Sequence, residues 1–150
     1  MTVRLDWSEV ILGAMAGVHR QVENLKAGRQ NAYGMPVSES WGAHIEGALA
    51  EQALAKGLNK YFRGKGRFGE PDLSEGIECR LRTNPNHSLI LHKKDKDGNR
   101  FYLVTGREGK YDIAGWCYGY EGKKEEYWAD PTGANRPAYF VPSNVLRPLE

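Results

Sequence analysis

The sequence predicts an α+β fold in which N-terminal helices pack on a central mixed or antiparallel β-sheet. In the first 58 residues, apolar side chains recur every three or four positions, as on one face of a helix. From residue 77 onward, short runs alternate between apolar and polar residues, as strands do. Helices followed by a series of strands are typical of α+β domains. The length of 150 residues predicts a single domain spanning 1–150, which can bury roughly 70% of the surface of the unfolded chain.

Charge and cysteine content narrow the functional class. The net charge is only +2, so affinity for nucleic acid would have to come from local clusters of basic residues. Cys79 and Cys117 have no second Cys or His at zinc-ligand spacing, which predicts two buried thiols in a reducing compartment. No apolar run approaches the ~20 residues that span a bilayer, and the N-terminus lacks the pattern of a signal peptide. These features predict a soluble, cytoplasmic protein without a membrane partner.

The first helix should begin at a capping box formed by Asp6 and Glu9 and end near Ala27-Gly28. Its polar residues Arg20, Glu23 and Lys26 are predicted to face solvent, and the helix is assigned no chemistry. Its apolar residues lie three or four apart and predict the face that packs on the rest of the protein: Trp7, Ile11, Ala14, Val18, Val22 and Leu25.

A second helix is predicted from Trp41 to about Leu58, capped by Ser38 or Ser40. Glu46 and Glu51 fall on opposite borders of its apolar face, and either carboxylate could lean over the end of a sheet. Small residues would let the helix lie close to that sheet: Gly42, Ala43, Gly47 and Ala50. The predicted buried stripe consists of Trp41, Ile45, Ala48, Leu49 and Ala55.

A basic segment with no acidic residues follows the second helix. Aromatic and glycine residues are interleaved with the cations, as expected of a flexible contact to a phosphate backbone. A solvated surface with no partner is the alternative reading of such a run. The basic residues are Lys56, Lys60, Arg63, Lys65 and Arg67.

Residues 70–82 carry the strongest indication of chemistry. Ile77 to Arg82 alternates in the manner of a half-buried strand, with Glu78, Arg80 and Arg82 on the polar face. A turn through residues 74–76 could fold the chain back and bring Asp72 beside Glu78. Two carboxylates beside a cation suit a divalent metal and a phosphate. The alternative is an ordinary edge strand whose charged face prevents aggregation.

The remaining chain predicts further strands. His87–His92 should form a hairpin with Phe101–Thr105 around Asp97-Gly98, a strong turn signal. After a turn at 106–109, residues 110–118 read as another strand, and 121–128 could form a short helix. The proline-punctuated tail predicts an extended edge segment near 138–142 and then one helical turn.

Three short motifs together resemble the PD-(D/E)xK nuclease superfamily. They are a helical Gly-x-x-x-Glu from Gly42 to Glu46, Pro71-Asp72, and Glu78-Cys79-Arg80 on an apolar strand. The short interval between Asp72 and Glu78 is most similar to that of the MutH-like endonucleases. The segments 113–116 and 138–142 look like those of small phage-borne members. The resemblance implies a restriction-endonuclease-like core, a single nuclease-like domain, and a Mg²⁺-dependent deoxyribonuclease acting on DNA in the cytoplasm, which would be that of the bacterial host if the protein is phage-encoded.

The resemblance also implies roles for particular residues. Asp72, Glu78 and the backbone carbonyl of Cys79 would bind Mg²⁺, with Mn²⁺ as a substitute. Glu46 would approach from the helix, with Glu51 as the alternative for that position. The DNA contacts would come from the basic segment and from one residue of the strand: Lys56, Lys60, Arg63, Lys65, Arg67 and Arg82.

Arg80 departs from the family pattern, which has lysine at this position. A guanidinium remains protonated at any working pH, so Arg80 could stabilise charge in the transition state but could not act as a base. Two functions therefore remain open: a Mg²⁺-dependent deoxyribonuclease, with Glu46, Asp72, Glu78 and Arg80 as its catalytic residues, or a weak or inactive DNA-binding accessory protein that retains the fold. A homodimer would suit an enzyme that cuts both strands, but no clear interface stripe is evident in the sequence.

Overall fold

The computed structural model describes residues 1–29, 35–64 and 70–149, and the α+β class predicted from the sequence is confirmed. The α-helices are Trp7–Ala27 (α1), Ser40–Gly57 (α2) and Gly119–Gly122 (α3). The strands are Thr2–Arg4 (β1), Ile77–Arg82 (β2), Leu89–Leu91 (β3), Arg100–Arg107 (β4), Lys110–Tyr118 (β5), Trp128–Ala129 (β6) and Ala138–Val141 (β7). None of the helices described is both long and apolar enough to cross a membrane.

The strands form two sheets. The larger sheet has the order β1-β5-β4-β2, in which β2 runs parallel to β4 and the other neighbours are antiparallel. The smaller sheet has the order β3-β7-β6. The predicted hairpin between β3 and β4 is therefore wrong: Leu89 pairs with Val141 of β7, whereas β4 already has β2 and β5 on its two edges.

Strand β4 lies between two apolar cores, so both of its faces are buried. Tyr102 and Val104 pack into a core beneath α2, and Phe101 and Leu103 pack into a second core with β3 and β7. All four side chains are at most 5% exposed. Continuous burial explains why this strand is a nearly unbroken run of apolar residues.

Helices α1 and α2 cross at very close range. A Cβ atom added at Gly17 would lie 2.4 Å from the Cα atom of Ile45, so the two backbones touch at this point. Only a residue without a side chain permits that approach. The buried residues of α1 are Gly13, Gly17 and Gln21.

The predicted buried face of α1 is wrong, although the helix itself, with its capping box of Asp6 and Glu9, is confirmed. The small and polar residues of α1 turn inward because α2 offers them hydrogen bonds: the ring nitrogens of His44 bond to Gln21 and Asn24. Most of the large apolar residues assigned to the inner face are exposed instead: Trp7, Ile11, Val18, Val22 and Leu25.

Helix α2 is buried almost all round over 48–55 because it lies between α1 and the larger sheet. It begins at Ser40 without a side-chain cap, and Trp41, predicted to be buried, is exposed. The β4–β5 turn is confirmed, and residues 138–141 are extended and precede a 3-10 turn as predicted. The prediction of an edge segment is wrong, because β7 lies between β3 and β6 and pairs with both. The predicted helix at 121–128 is replaced by α3 and a 3-10 turn over Glu125–Tyr127.

Candidate active site

A tight turn places Asp72 over the edge of β2. Leu73 pairs with Ile77, and between them Glu75 and Gly76 both adopt the left-handed conformation, with φ of 62° and 69°. The chain reverses there, so Asp72 Oδ2 accepts a hydrogen bond of 2.7 Å from the backbone N–H of Cys79. The turn predicted from the sequence therefore exists, and it directs this carboxylate to the outer edge of the strand.

Glu78 is oriented by Asn99, whose side-chain amide donates to Oε1 at 3.1 Å. Asn99 reaches this position across Gly76, where an added Cβ atom would lie 2.8 Å from Asn99 Oδ1. Gly76 is thus required both for its positive φ and for this close approach. Burial raises the pKa of Glu78 to about 7, and repulsion by Asp72 adds to the shift.

Glu51 of α2 completes the group of carboxylates. Its side chain is 10% exposed, and it lies within hydrogen-bonding reach of Asp72. Burial first, and then the neighbouring Asp72, raise the pKa of Glu51 to about 7. Burial also raises the pKa of Asp72, against the opposing effects of the Cys79 N–H and the nearby arginines.

Arg20 of α1 holds Glu51 in place. Its two terminal nitrogens donate to the two carboxylate oxygens at 2.8 and 2.7 Å, and Nε and Nη2 also bond to the carbonyl of Gly64. A two-point contact of this kind fixes the carboxylate plane as well as its position. Helix α1, helix α2 and the backbone at Gly64 therefore meet at this arginine.

Arg80 lies on the same face of β2 as Glu78. It pairs with Asp95 at 2.9 Å and lies over the ring of Phe101 at 4.9 Å. Its Nε atom is buried and has no hydrogen-bond partner among the described residues. A buried N–H donor without a partner is costly, and an anionic oxygen would satisfy it.

Glu46 is not brought to this group, which corrects its assignment as the helical carboxylate of the site. Its oxygens accept from the backbone N–H of Glu108 at 3.0 Å and from the hydroxyl of Tyr111 at 2.5 Å, at the β4–β5 turn. Positions 46 and 51 differ by about 140° around a helix, so only one of them can face Asp72. The alternative residue Glu51 is the one that does.

The predicted DNA-contacting residues are separated in the structure. Lys60 pairs with Glu75 at 2.9 Å, and Arg63 bonds to the carbonyl of Pro71, so both cations border the Asp72 turn. Lys56 instead pairs with Glu9 at the start of α1. Arg82 donates to the carbonyl of Ser88. The remaining two, Lys65 and Arg67, lie outside the described residues.

A shallow cleft of about 310 Å³ lies beside this group rather than in it. It is connected to the carboxylates through Asp95, whose side chain pairs with Arg80 and whose carbonyl accepts from Lys123. The cleft contains none of the carboxylates whose pKa is raised, so the Asp72 turn is the better candidate site. The cleft is lined by Lys93, Asp97, Tyr120, Lys123 and Tyr139.

In the part of the chain that the structure describes, no three His, Cys, Asp or Glu side chains form a ready-made metal cage. The donor set nevertheless suits Mg²⁺, which binds through one or two carboxylates and keeps several waters. Asp72 and Glu78 make no ion pair with any described residue. The Cys79 carbonyl faces the same strand edge as its N–H, which bonds to Asp72, because both groups of a strand residue point to one side.

Sequence reasoning missed Arg20, Asp95 and Asn99. One feature of the sequence could have indicated Arg20. Gly13 and Gly17 lie four residues apart on the polar side of α1, and such a pair indicates that this side packs closely against another element, which turns Arg20 inward. Asn99 and Asp95 reach the site from the loop before β4, which becomes adjacent only through the parallel pairing of β2 with β4. Local pattern alone does not indicate that pairing.

Comparison with known proteins gave no match to a protein-family model, to a curated protein or to a solved structure.

Proposed function

We propose that this protein is a Mg²⁺-dependent deoxyribonuclease with a restriction-endonuclease-like core. The observation that supports the proposal best is the return of Asp72 onto the Cys79 N–H, beside Glu78 and Glu51 and on the strand that carries Arg80. DNA as the substrate rests on the resemblance of the Asp72, Glu78 and Arg80 pattern to the PD-(D/E)xK nucleases. The position of Lys60 and Arg63 at the border of the turn supports an anionic polymer as the substrate.

Each residue has a definite task in this proposal. Asp72, Glu78 and the Cys79 carbonyl would hold Mg²⁺, which when bound supplies a Lewis acid and an activated water for attack on phosphorus. Glu51 is held in place by Arg20 and would orient the carboxyl group of Asp72. Arg80 would stabilise, through its positive charge, the negative charge that develops on the phosphate. Since Arg80 stays protonated, the proton of the attacking water passes to solvent or to phosphate.

The second candidate is a DNA-binding accessory protein without catalysis. The specific observation in its favour is the ion pair between Arg80 and Asp95, which holds the guanidinium on the side of the β3–β4 loop. On this reading the carboxylates are structural, and Lys60 and Arg63 provide the contacts to DNA.

The nuclease proposal is tested by incubating the purified protein with supercoiled plasmid and Mg²⁺ or Mn²⁺. We expect nicked or linear product, and a loss of at least ~100-fold in rate for Asp72→Asn and Glu78→Gln, because each removes a charged metal ligand. Glu51→Gln should also be strongly impaired. Glu46→Gln is the matched control, since it makes the same substitution on the same helix and should leave the rate near that of the native protein.

Two results would end the nuclease proposal: no cleavage of plasmid in either metal, or full activity in Asp72→Asn. A measurement of DNA binding in EDTA distinguishes the accessory role from the nuclease role. Binding that survives Glu78→Gln and weakens in Lys60→Ala/Arg63→Ala, without cleavage by the native protein, would favour the accessory role. Absence of any DNA binding would contradict both.

A further inference from the structure

The outer face of α1 carries a long apolar stripe that no described residue covers. Within it, Trp7 is 80% exposed and Leu25 59% exposed, at opposite ends of the helix. Between them the spacing alternates between four and three residues from residue 11 to residue 25, which is the heptad seam of a coiled coil. The stripe consists of Trp7, Ile11, Met15, Val18, Val22 and Leu25, with Leu12 beside it.

A stripe of this size is not ordinary surface. Its side chains expose on the order of 700 Å², whereas contiguous apolar patches beyond a few hundred Å² mark interaction sites. The same area approaches the ~800 Å² that each partner contributes to an interface of standard size. The outer face of α1 is therefore large enough for a stable protein contact.

The charges around the stripe indicate what kind of partner fits. Glu23 and Lys26 pair with each other at its border, and Arg20 is turned away to Glu51. A helix that binds an anionic lipid surface carries Lys and Arg along its polar face, and α1 does not. A second apolar helix without strong charge fits better, and a copy of α1 itself meets no like charge along the seam.

We propose that the protein is a homodimer in which the α1 helices of two chains pack against each other in antiparallel orientation. With the twofold axis between Met15 and Val18, Met15 of one chain faces Val18 of the other, and Ile11 faces Val22. Leu25 then lies beside Trp7 of the second chain. Such a contact is isologous and buries the stripe over its full length. It does not depend on the nuclease activity.

The oligomeric state is tested by sedimentation or light scattering at micromolar concentration. The native protein should have twice the 16.9 kDa mass of one chain, and Met15→Asp/Val18→Asp should have the mass of a single chain. Val37→Asp is the matched control, because Val37 is also 80% exposed but lies outside α1. A circular dichroism spectrum and melting curve would show that the double variant is folded.

Orientation is tested by single cysteine substitutions and a short bismaleimide linker. Met15→Cys should cross-link efficiently, since it lies near the proposed axis, and Trp7→Cys should not, since the two copies of residue 7 would be roughly 28 Å apart along the helices. A monomeric native protein would overturn the proposal, as would a dimer that persists in the folded double variant. Equal cross-linking at both positions would overturn the antiparallel arrangement.

Discussion

At the scale of single residues, the pair formed by Arg20 and Glu51 determines how the site is built. Arg20 is 27% exposed and Glu51 10% exposed, so both charges are largely removed from water. Each is tolerated because the other is present, and the pair is held at two points. The same contact joins α1 to the carboxylate that lies next to Asp72.

Removing the arginine alone should therefore be costly. We expect Arg20→Leu to lower the free energy of unfolding by about 2–3 kcal/mol at pH 8, where Glu51 would be left charged and buried unless it takes up a proton. At pH 5 the loss should be smaller, because the pKa of Glu51 is about 7 and the carboxyl is then already neutral. Urea denaturation at the two pH values measures the difference.

The double variant Arg20→Leu/Glu51→Leu is the control for this prediction. It removes both charges together and should recover a substantial part of the lost stability, since apolar residues of similar volume often replace a buried ion pair without loss. If the loss of stability in the double variant equals the sum of the losses in the two single variants, the two side chains act independently.

Two substitutions of Arg80 separate the effect of its charge on the cleavage rate from the effect of its shape. In the proposed nuclease, Arg80→Gln should lower the single-turnover cleavage rate about 100-fold, because it removes the cation that we propose to face the developing charge. Arg80→Lys keeps the charge and should retain activity within about tenfold of the native protein. Rapid-quench cleavage of a labelled duplex measures both rates, and equal rates for the two variants would refute a role for charge at this position.

The residues of the site were predicted from the sequence only in part. Asp72 and Glu78 follow from a turn and an alternating strand, both of which are local patterns. Glu51 rather than Glu46 reaches the site because α2 is rotated so that Glu51 faces Arg20 and Asp72, whereas Glu46 faces the β4–β5 turn. Periodicity placed both glutamates on borders of the buried stripe and could not choose between them.

At the scale of elements, the crossing of α1 and α2 depends on glycine. Gly17→Ala would place a methyl group 2.4 Å from the Cα atom and 2.6 Å from the nearest carbonyl oxygen of α2. The helices would have to separate, and we expect a loss of about 2 kcal/mol in the free energy of unfolding. The melting temperature and urea midpoint measure this loss.

Gly47→Ala is the matched control for that substitution. It lies in α2, where an added Cβ atom meets nothing within 4 Å, so the protein should keep or gain stability by up to ~1 kcal/mol through helix propensity. Equal losses at the two glycines would contradict the close crossing.

The elements themselves were easier to predict than their arrangement. The bounds of α1, β2 and the β4–β5 pair follow from caps, alternation and turn residues. The inward face of α1 was wrong because its polar residues find partners on α2, and the β3–β4 hairpin was wrong because β4 pairs with β2 over a long stretch of chain. Hydrophobic pattern does not encode either long-range choice.

At the scale of the whole molecule, β4 belongs to both apolar cores, so the cores should unfold together. Leu103→Ala should cost about 2–5 kcal/mol, because the side chain is fully buried in the second core, and the loss should appear throughout the protein. Far-ultraviolet and near-ultraviolet circular dichroism should report one common urea transition before and after the substitution. Two separate transitions would mean that the cores fold independently.

The buried carboxyl groups whose pKa is raised also determine how the stability of the whole fold depends on pH in the absence of metal. The pKa values of Glu51 and Glu78 are about 7 when folded, well above the ordinary range near 4.5 of an unfolded chain. The folded state therefore binds protons more tightly, and the stability this confers is present below pH 4.5 and lost as pH rises through 7. His44 has the opposite effect: burial lowers its pKa, so its contribution is lost as pH falls below 6.5.

We accordingly expect the urea midpoint measured in EDTA to decline between pH 6.5 and 8, where the two glutamates lose their protons. Glu78→Gln removes one of the groups that titrate, so its decline should be shallower than that of the native protein, whatever its absolute stability. Glu46→Gln should follow the native slope. A native midpoint that stays constant or rises over this interval would contradict the burial of charge at the Asp72 turn.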